Sequence, residues 1–133
     1  GESIIIEYIH GSTLSNIKKL NLNTKQKMKI VFELLFIFDF LHKNNLIYRD
    51  LKPNNIILDD FNHILLIDFD RMIDVDSQQA EFTRYFGTDF TAPEIANENI
   101  IPSVKSDIYS LGKMIFYIFF EEYMDKETVN TLR

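Results

Sequence analysis

Tyr48-Arg49-Asp50-Leu51-Lys52-Pro53-Asn54-Asn55, followed thirteen residues after Asn55 by Asp68-Phe69-Asp70, is the stretch from which this chain is best read. It sets a carboxylate, an ammonium and a carboxamide two and five residues apart. A second carboxylate then closes the apolar run Ile64-Leu65-Leu66-Ile67. Phosphoryl transfer needs this set. One carboxylate orients an attacking hydroxyl and accepts its proton. One amide and one carboxylate hold metal ions against phosphate oxygens. A lysine offsets the charge of the migrating group.

Working outward, Leu46-Ile47 is a short strand feeding this loop. Ile56-Ile57-Leu58 and Ile64 to Ile67 are two more, joined by Asp59-Asp60-Phe61-Asn62-His63 as a hairpin turn. Upstream, Lys25 to Lys43 reads as a long helix with an almost continuous apolar face. It is preceded by the capping signal of Asn21 to Thr24 and stopped by Asn44-Asn45, since Asn tolerates the left-handed conformation. Ser3 to Ile9 reads as a β-branched strand, and Leu14 to Leu20 as a short helix. Downstream, Arg71 to Phe90 lacks periodicity and reads as an extended loop. Ala92 to Ala96 reads as a helical turn. Asp107 to Phe120, apolar all round, is expected as a central buried helix.

Bulk properties fit one globular unit of 133 residues, 46% hydrophobic and 14% aromatic, which excludes disorder. A net charge of −6 argues against a nucleic-acid or anionic-membrane surface. The chain has no cysteine, hence neither disulfide nor thiolate metal site, which fits a reducing, cytoplasmic setting. The apolar stretches Ile30 to Leu41 and Ile108 to Phe120 are interrupted by charge and too short to span a bilayer.

The stretch from Tyr48 to Asp70 resembles the catalytic loop and metal-binding segment of eukaryotic protein kinases. Gly87-Thr88, Ala92-Pro93-Glu94 and Ser106-Asp107-Ile108-Tyr109-Ser110-Leu111-Gly112 follow in that family's order. The resemblance covers nearly the whole chain. It implies an α+β, protein-kinase-like fold: the mainly helical C-terminal lobe with small β-hairpins, from the hinge strand through the central helix. On this reading residues 1–133 are a fragment of the domain, without the N-terminal lobe and the last helices. That fragment is not expected to catalyse alone.

By the same resemblance, Asp50 is the catalytic base and Lys52 neutralises the transferred phosphoryl group. Asn55 and Asp68 hold Mg²⁺ with ATP, and Thr88 reaches Asp50 and Lys52 beside the substrate pocket. Lys52 and Thr88 together point to serine/threonine specificity. Taken alone, Lys52 is an ordinary surface lysine and Thr88 a turn residue. Glu7 carbonyl and Ile9 amide are the implied adenine partners, and Ile6 the residue guarding that pocket. Ile57 lies under the ring, with Met114 and Ile118 continuing its apolar column. Phe69 packs into the core. Asp107 caps its own helix and accepts from the Arg49-Asp50 loop.

Two positions depart from the common pattern: Tyr48 stands where His is usual, and Asp70 where Gly is usual, which restricts that segment's backbone. Arg49 before Asp50 implies activation through a phosphate placed by an upstream kinase, with Thr83 the candidate acceptor or Glu81 a permanent substitute. Glu94 is expected to pair with an arginine beyond this chain. The implied function is an ATP-dependent serine/threonine protein kinase acting on protein substrates. The alternative is a pseudokinase or truncated scaffold, which intact Asp50, Lys52, Asn55 and Asp68 disfavour. A small-molecule kinase is disfavoured by Thr88 and Ala92-Pro93-Glu94, which build a peptide platform.

Overall fold

The computed structural model describes residues 10–77, 87–96 and 101–122. The strand Ser3 to Ile9, the adenine partners Glu7 and Ile9, Ile6, Glu81 and Thr83 lie outside the described residues. The rest is helix-rich with two small antiparallel sheets, the α+β class expected.

The first sheet runs β1 (Gly11–Thr13), β3 (Ile56–Asp59), β4 (Ile64–Leu66), with β3 in the middle. Gly11 faces Asp59, and Ile57 faces both Thr13 and Leu65. A Cβ at Gly11 would stand 2.5 Å from the Leu58 carbonyl oxygen, so only glycine lets β1 approach this closely. The second sheet pairs β2 (Leu46–Ile47) with β5 (Ile73–Asp74). β5 corrects the expectation of an unbroken loop from Arg71. Two residues are too few for a period-2 signal, and only the partner strand makes Ile73-Asp74 extended.

Leu14 to Leu20 divides into a 3-10 turn, Leu14–Asn16, and a single turn of α-helix, α1 (Ile17–Leu20). Helix α2 (Thr24–Lys43) starts with a full capping box: Asn23 Oδ1 accepts from Gln26 N at 2.8 Å, and Gln26 Oε1 accepts from Asn23 N at 2.9 Å. It ends where Asn45 takes φ 58°. Ile30, Leu34, Phe38 and Leu41 face the core. Met28, Phe32, Phe36 and Phe40, four residues apart, form a second apolar ridge facing outward, 47–76% exposed. That ridge is why the helix reads as apolar on nearly every side.

Helix α3 (Val104–Phe120) packs one side against α2 and the β2 strand. Contrary to the expectation, it is not buried all round. Ser106, Asp107, Ser110, Leu111, Met114, Tyr117 and Ile118 are buried, whereas Ile108, Tyr109 and Phe120 are exposed. Among the described residues one stripe of the helix meets its neighbours, so apolar composition alone overstated its burial. The N-cap is Ser103, whose Oγ accepts from Lys105 N at 3.2 Å. This corrects Asp107 as the cap: one more turn precedes it, and Asp107 lies inside the helix. At the other end Lys27 of α2 reaches Glu121 at 3.2 Å and the Phe119 carbonyl at 3.3 Å.

Leu14, Ile17, Leu51, Ile56, Leu58, Met114 and Ile118 join the inner faces of both helices in one core. Burying each such side chain stabilises the fold by about 1.5–3 kcal/mol. Strand alternation puts Ile56 and Leu58 in that core and half-buried Ile57 on the opposite face. Met114 and Ile118 therefore share the core with Ile56 and Leu58, not with Ile57. No described helix is long and apolar enough to cross a membrane.

Candidate active site

Helix α3 builds the site from beneath. The Asp107 carboxylate, 0% exposed, accepts from Tyr48 N and Arg49 N, both at 2.9 Å, and bonds His42 Nε2 at 2.8 Å. Its grip on the loop is as expected. His42 was not foreseen, although it sits four residues beyond Phe38 on the buried stripe of α2, a place where a polar side chain needs a reason. The two amide bonds fix Arg49 at φ 68°, a left-handed conformation that costs a non-glycine residue roughly 1–2 kcal/mol. The buried Arg49 also donates from Nε to the Arg71 carbonyl at 2.7 Å, tying the loop to the segment after Asp68.

From that seat the loop turns its functional groups together. Asn55 Nδ2 donates to the Asp50 carbonyl at 2.7 Å and to its carboxylate at 3.1 Å. Both partners are acceptors, so the carboxamide must present its NH₂ to Asp50, leaving Oδ1 as a hard oxygen donor. Lys52 Nζ stands 3.8 Å from Asp50 Oδ1. Asp50 and Asn55 are buried and Lys52 half-buried, so the charge of Asp50 is held in a low-dielectric setting with one cation beside it.

Ile67 carries the second segment to this loop. Its N–H donates to the Asn55 carbonyl at 2.9 Å, and its own carbonyl accepts a short hydrogen bond from the Tyr48 hydroxyl. Asp68 follows at φ 60°, exposed, with Oδ1 accepting from Asp70 N at 3.3 Å. Asp70 is not among the positive-φ residues, so this conformation makes no demand for glycine there. Phe69 is 46% exposed, not in the core, and its ring lies edge-on to Tyr48 with centroids 5.6 Å apart. Tyr48 itself is fully buried, and burial first, then the charges of Asp50, Asp68 and Asp107, push its hydroxyl well above the ordinary tyrosine range. It therefore stays protonated and remains a donor.

Thr88 is exposed and does not reach Asp50 or Lys52 by hydrogen bonding. Its Oγ1 accepts from Phe90 N at 3.2 Å, and its N–H donates to Thr91 Oγ1 at 3.0 Å. The local turn takes one lone pair of its hydroxyl, and the O–H makes no bond to Asp50 or Lys52, so the expected reach across the cleft is not made. Thr88 still lines, with Lys52, Pro53, Asn54, Asp89 and Phe90, a cleft of about 320 Å³. Glu94 is bonded within the chain, accepting from Ser106 Oγ at 3.0 Å.

The donor set of Asn55 Oδ1 and the Asp68 carboxylate fits Mg²⁺, which takes hard oxygens and completes its shell with waters and phosphates rather than a protein cage. Among the described residues no group of three or more His, Cys, Asp or Glu side chains is gathered for a metal, so these two oxygens would share the ion with a phosphate ligand.

A profile of the protein kinase domain family matches residues 2–131. The chain is 32% identical, over 97% of its length, to the serine/threonine-protein kinase CLA4 of Candida albicans. It is 33% identical over 85% of its length to ribosomal protein S6 kinase alpha-6 of Mus musculus. It is 34% identical over 82% of its length to the probable serine/threonine-protein kinase mkcD of Dictyostelium discoideum. It spans only 14%, 15% and 17% of those relatives.

Proposed function

This chain belongs to the protein kinase family, and we propose that residues 1–133 supply the catalytic lobe, hinge strand through central helix, of an ATP-dependent serine/threonine protein kinase. The observation that carries the reading is the convergence on Asp50: Asn55 Nδ2 at 3.1 Å and Lys52 Nζ at 3.8 Å. Asp50 orients a protein serine or threonine hydroxyl and takes its proton as the oxygen bonds to the γ-phosphorus and the bond to ADP breaks. Lys52 sits where charge passes during transfer. Asn55 and Asp68 would hold Mg²⁺, which neutralises the nucleotide's phosphates when bound. Thr88 lines the substrate side of the cleft. Glu7, Ile9 and Ile57 are assigned to adenine, and Arg49 to reading a phosphate added by an upstream kinase. Such substrates place the protein inside the cell.

The test is γ-phosphate transfer from ATP to a mixture of serine- and threonine-containing peptides by the full-length protein, beside its Asp50→Ala variant. Transfer is expected in the parent and is expected to fall at least about a hundredfold in the variant. A folded parent that binds Mg-ATP yet transfers nothing, with or without phosphorylation by another kinase, would replace the enzyme with a binding scaffold.

A further inference from the structure

We propose that Ser110, with Ser106 one turn earlier on α3, is a positioning residue for the peptide-substrate side of the site; this deepens, and rests on, the kinase reading. Ser110 is 2% exposed, and its Oγ lies 2.5 Å from the Phe90 carbonyl and 3.3 Å from the Ser106 carbonyl. A hydroxyl has one proton. A helical serine commonly spends it on the carbonyl four residues back; here the shorter bond goes across to Phe90. Ser106, also 2% exposed, donates to Glu94 Oε1 at 3.0 Å. Tyr117, about two turns beyond Ser110 in the same buried stripe, meets the Phe90 ring edge-on with centroids 5.8 Å apart, and its hydroxyl donates to the Leu14 carbonyl at 2.6 Å.

Three residues of one helix stripe thus hold the 88–96 segment: Phe90 by its carbonyl and its ring, Glu94 by its carboxylate. Phe90 also lines the cleft shared with Lys52, Pro53, Asn54, Thr88 and Asp89. Ser110 fixes a wall of that cleft without touching its contents. Asp50, Asn55 and Lys52 hang from a different set of bonds, through Asp107. Losing the Ser110 hydroxyl should therefore loosen the peptide wall and leave the phosphate-handling groups in place. Alanine fits the space of serine, so the variant is expected to fold.

The experiment uses the full-length protein and its Ser110→Ala and Ser106→Ala variants. Steady-state phosphorylation of one peptide gives KM for peptide, KM for ATP and kcat. Amide hydrogen exchange is followed over residues 88–96 and 48–55. Ser110→Ala is expected to raise peptide KM about tenfold while ATP KM and kcat stay within about threefold. Exchange should quicken over 88–96 and not over 48–55. Ser106→Ala should act in the same direction, less strongly, because Glu94 is only half-buried. Unchanged peptide KM with unchanged exchange overturns the inference. So does a parallel loss of kcat, ATP affinity and thermal midpoint, the mark of a general structural role. A parent that transfers no phosphate fails the kinase reading, and the exchange contrast then decides separately whether Ser110 holds the segment.

Discussion

Two loops hang from helix α3, and they are attached by different chemistry. The catalytic loop is held by a charge: Asp107, wholly buried, accepts two backbone N–H bonds and bonds His42. The 88–96 segment is held by two serine hydroxyls: Ser110 on the neutral Phe90 carbonyl, and Ser106 on the carboxylate of Glu94, which is only half-buried and so shares its charge with water. Hydrogen bonds to a charged group contribute about 1.5–3 kcal/mol each, and neutral ones about 0.5–1.5 kcal/mol. The stronger attachment serves the loop that must keep Asp50, Lys52 and Asn55 in register and that carries the strained Arg49. The weaker serves the wall proposed to meet a peptide substrate. On the proposed kinase reading, rigidity is concentrated where bonds would be rearranged and relaxed where a peptide would be received.

Asp107→Ala should break this contrast most severely. It removes the acceptor of two buried amides and leaves His42 facing a hole. The expected cost is about 3–5 kcal/mol of stability, measured by urea unfolding of the full-length protein. Asp107→Asn keeps the shape and one acceptor oxygen, and should cost about half as much. If Asp107→Ala cost no more than Ser110→Ala, the ranking of the two attachments would be wrong.

What could be read in advance follows the same division. The charged motif residues are close together in the sequence, and Asp50 and Asn55 share one short loop, so their meeting was foreseeable. Helix α2 was legible because Asn23, Gln26 and Asn45 mark its ends chemically. The long-range partners were not. His42 lies 65 residues from Asp107, and Ser110 lies 20 from Phe90. A polar residue on an apolar helical stripe signals that a partner exists but not which one. The apolar ring of Phe69 implies burial, yet the fold leaves it 46% exposed beside Tyr48. Thr88 was misjudged because a hydroxyl beside Gly87 can close its own turn before it reaches across a cleft.

Gly87→Ala sharpens the comparison from the weaker side. A Cβ there would lie 2.0 Å from Thr91 Oγ1 and 2.4 Å from Thr91 Cβ. Thr91 must swing away, and Thr88 N then loses its acceptor. Overpacking of this kind costs about 1–3 kcal/mol where neighbours cannot yield. Both Gly87 and Thr88 are exposed, so the lower end is expected. Peptide KM should rise several-fold, and nucleotide affinity, measured by calorimetry with Mg-ATP, should not change. A matching loss of nucleotide affinity would show that the two loops are not independently held.

Tyr48→Phe tests the smallest tie, the hydroxyl bond to the Ile67 carbonyl that supports Asp68 from the catalytic loop. The ring contacts with Phe38 and Phe69 survive the change, so the loss at neutral pH should be about 1 kcal/mol. Its pH dependence is more telling. Burial, then the charges of Asp50, Asp68 and Asp107, raise the hydroxyl's pKa in the folded state. The folded protein therefore keeps this proton at a pH where the unfolded chain releases it, and the unfolded state binds fewer protons. Stability from this group is complete below the ordinary tyrosine value of about 10 and is lost as pH rises beyond it. Wild type should lose stability between about pH 9 and 11.5 more steeply than Tyr48→Phe, so the gap between them should close, and then reverse, as the solution becomes alkaline. Urea unfolding at four pH values measures this. Parallel curves would mean that the Tyr48 hydroxyl meets solvent, and the link from the catalytic loop to Asp68 would then rest on the single bond from Ile67 N to the Asn55 carbonyl.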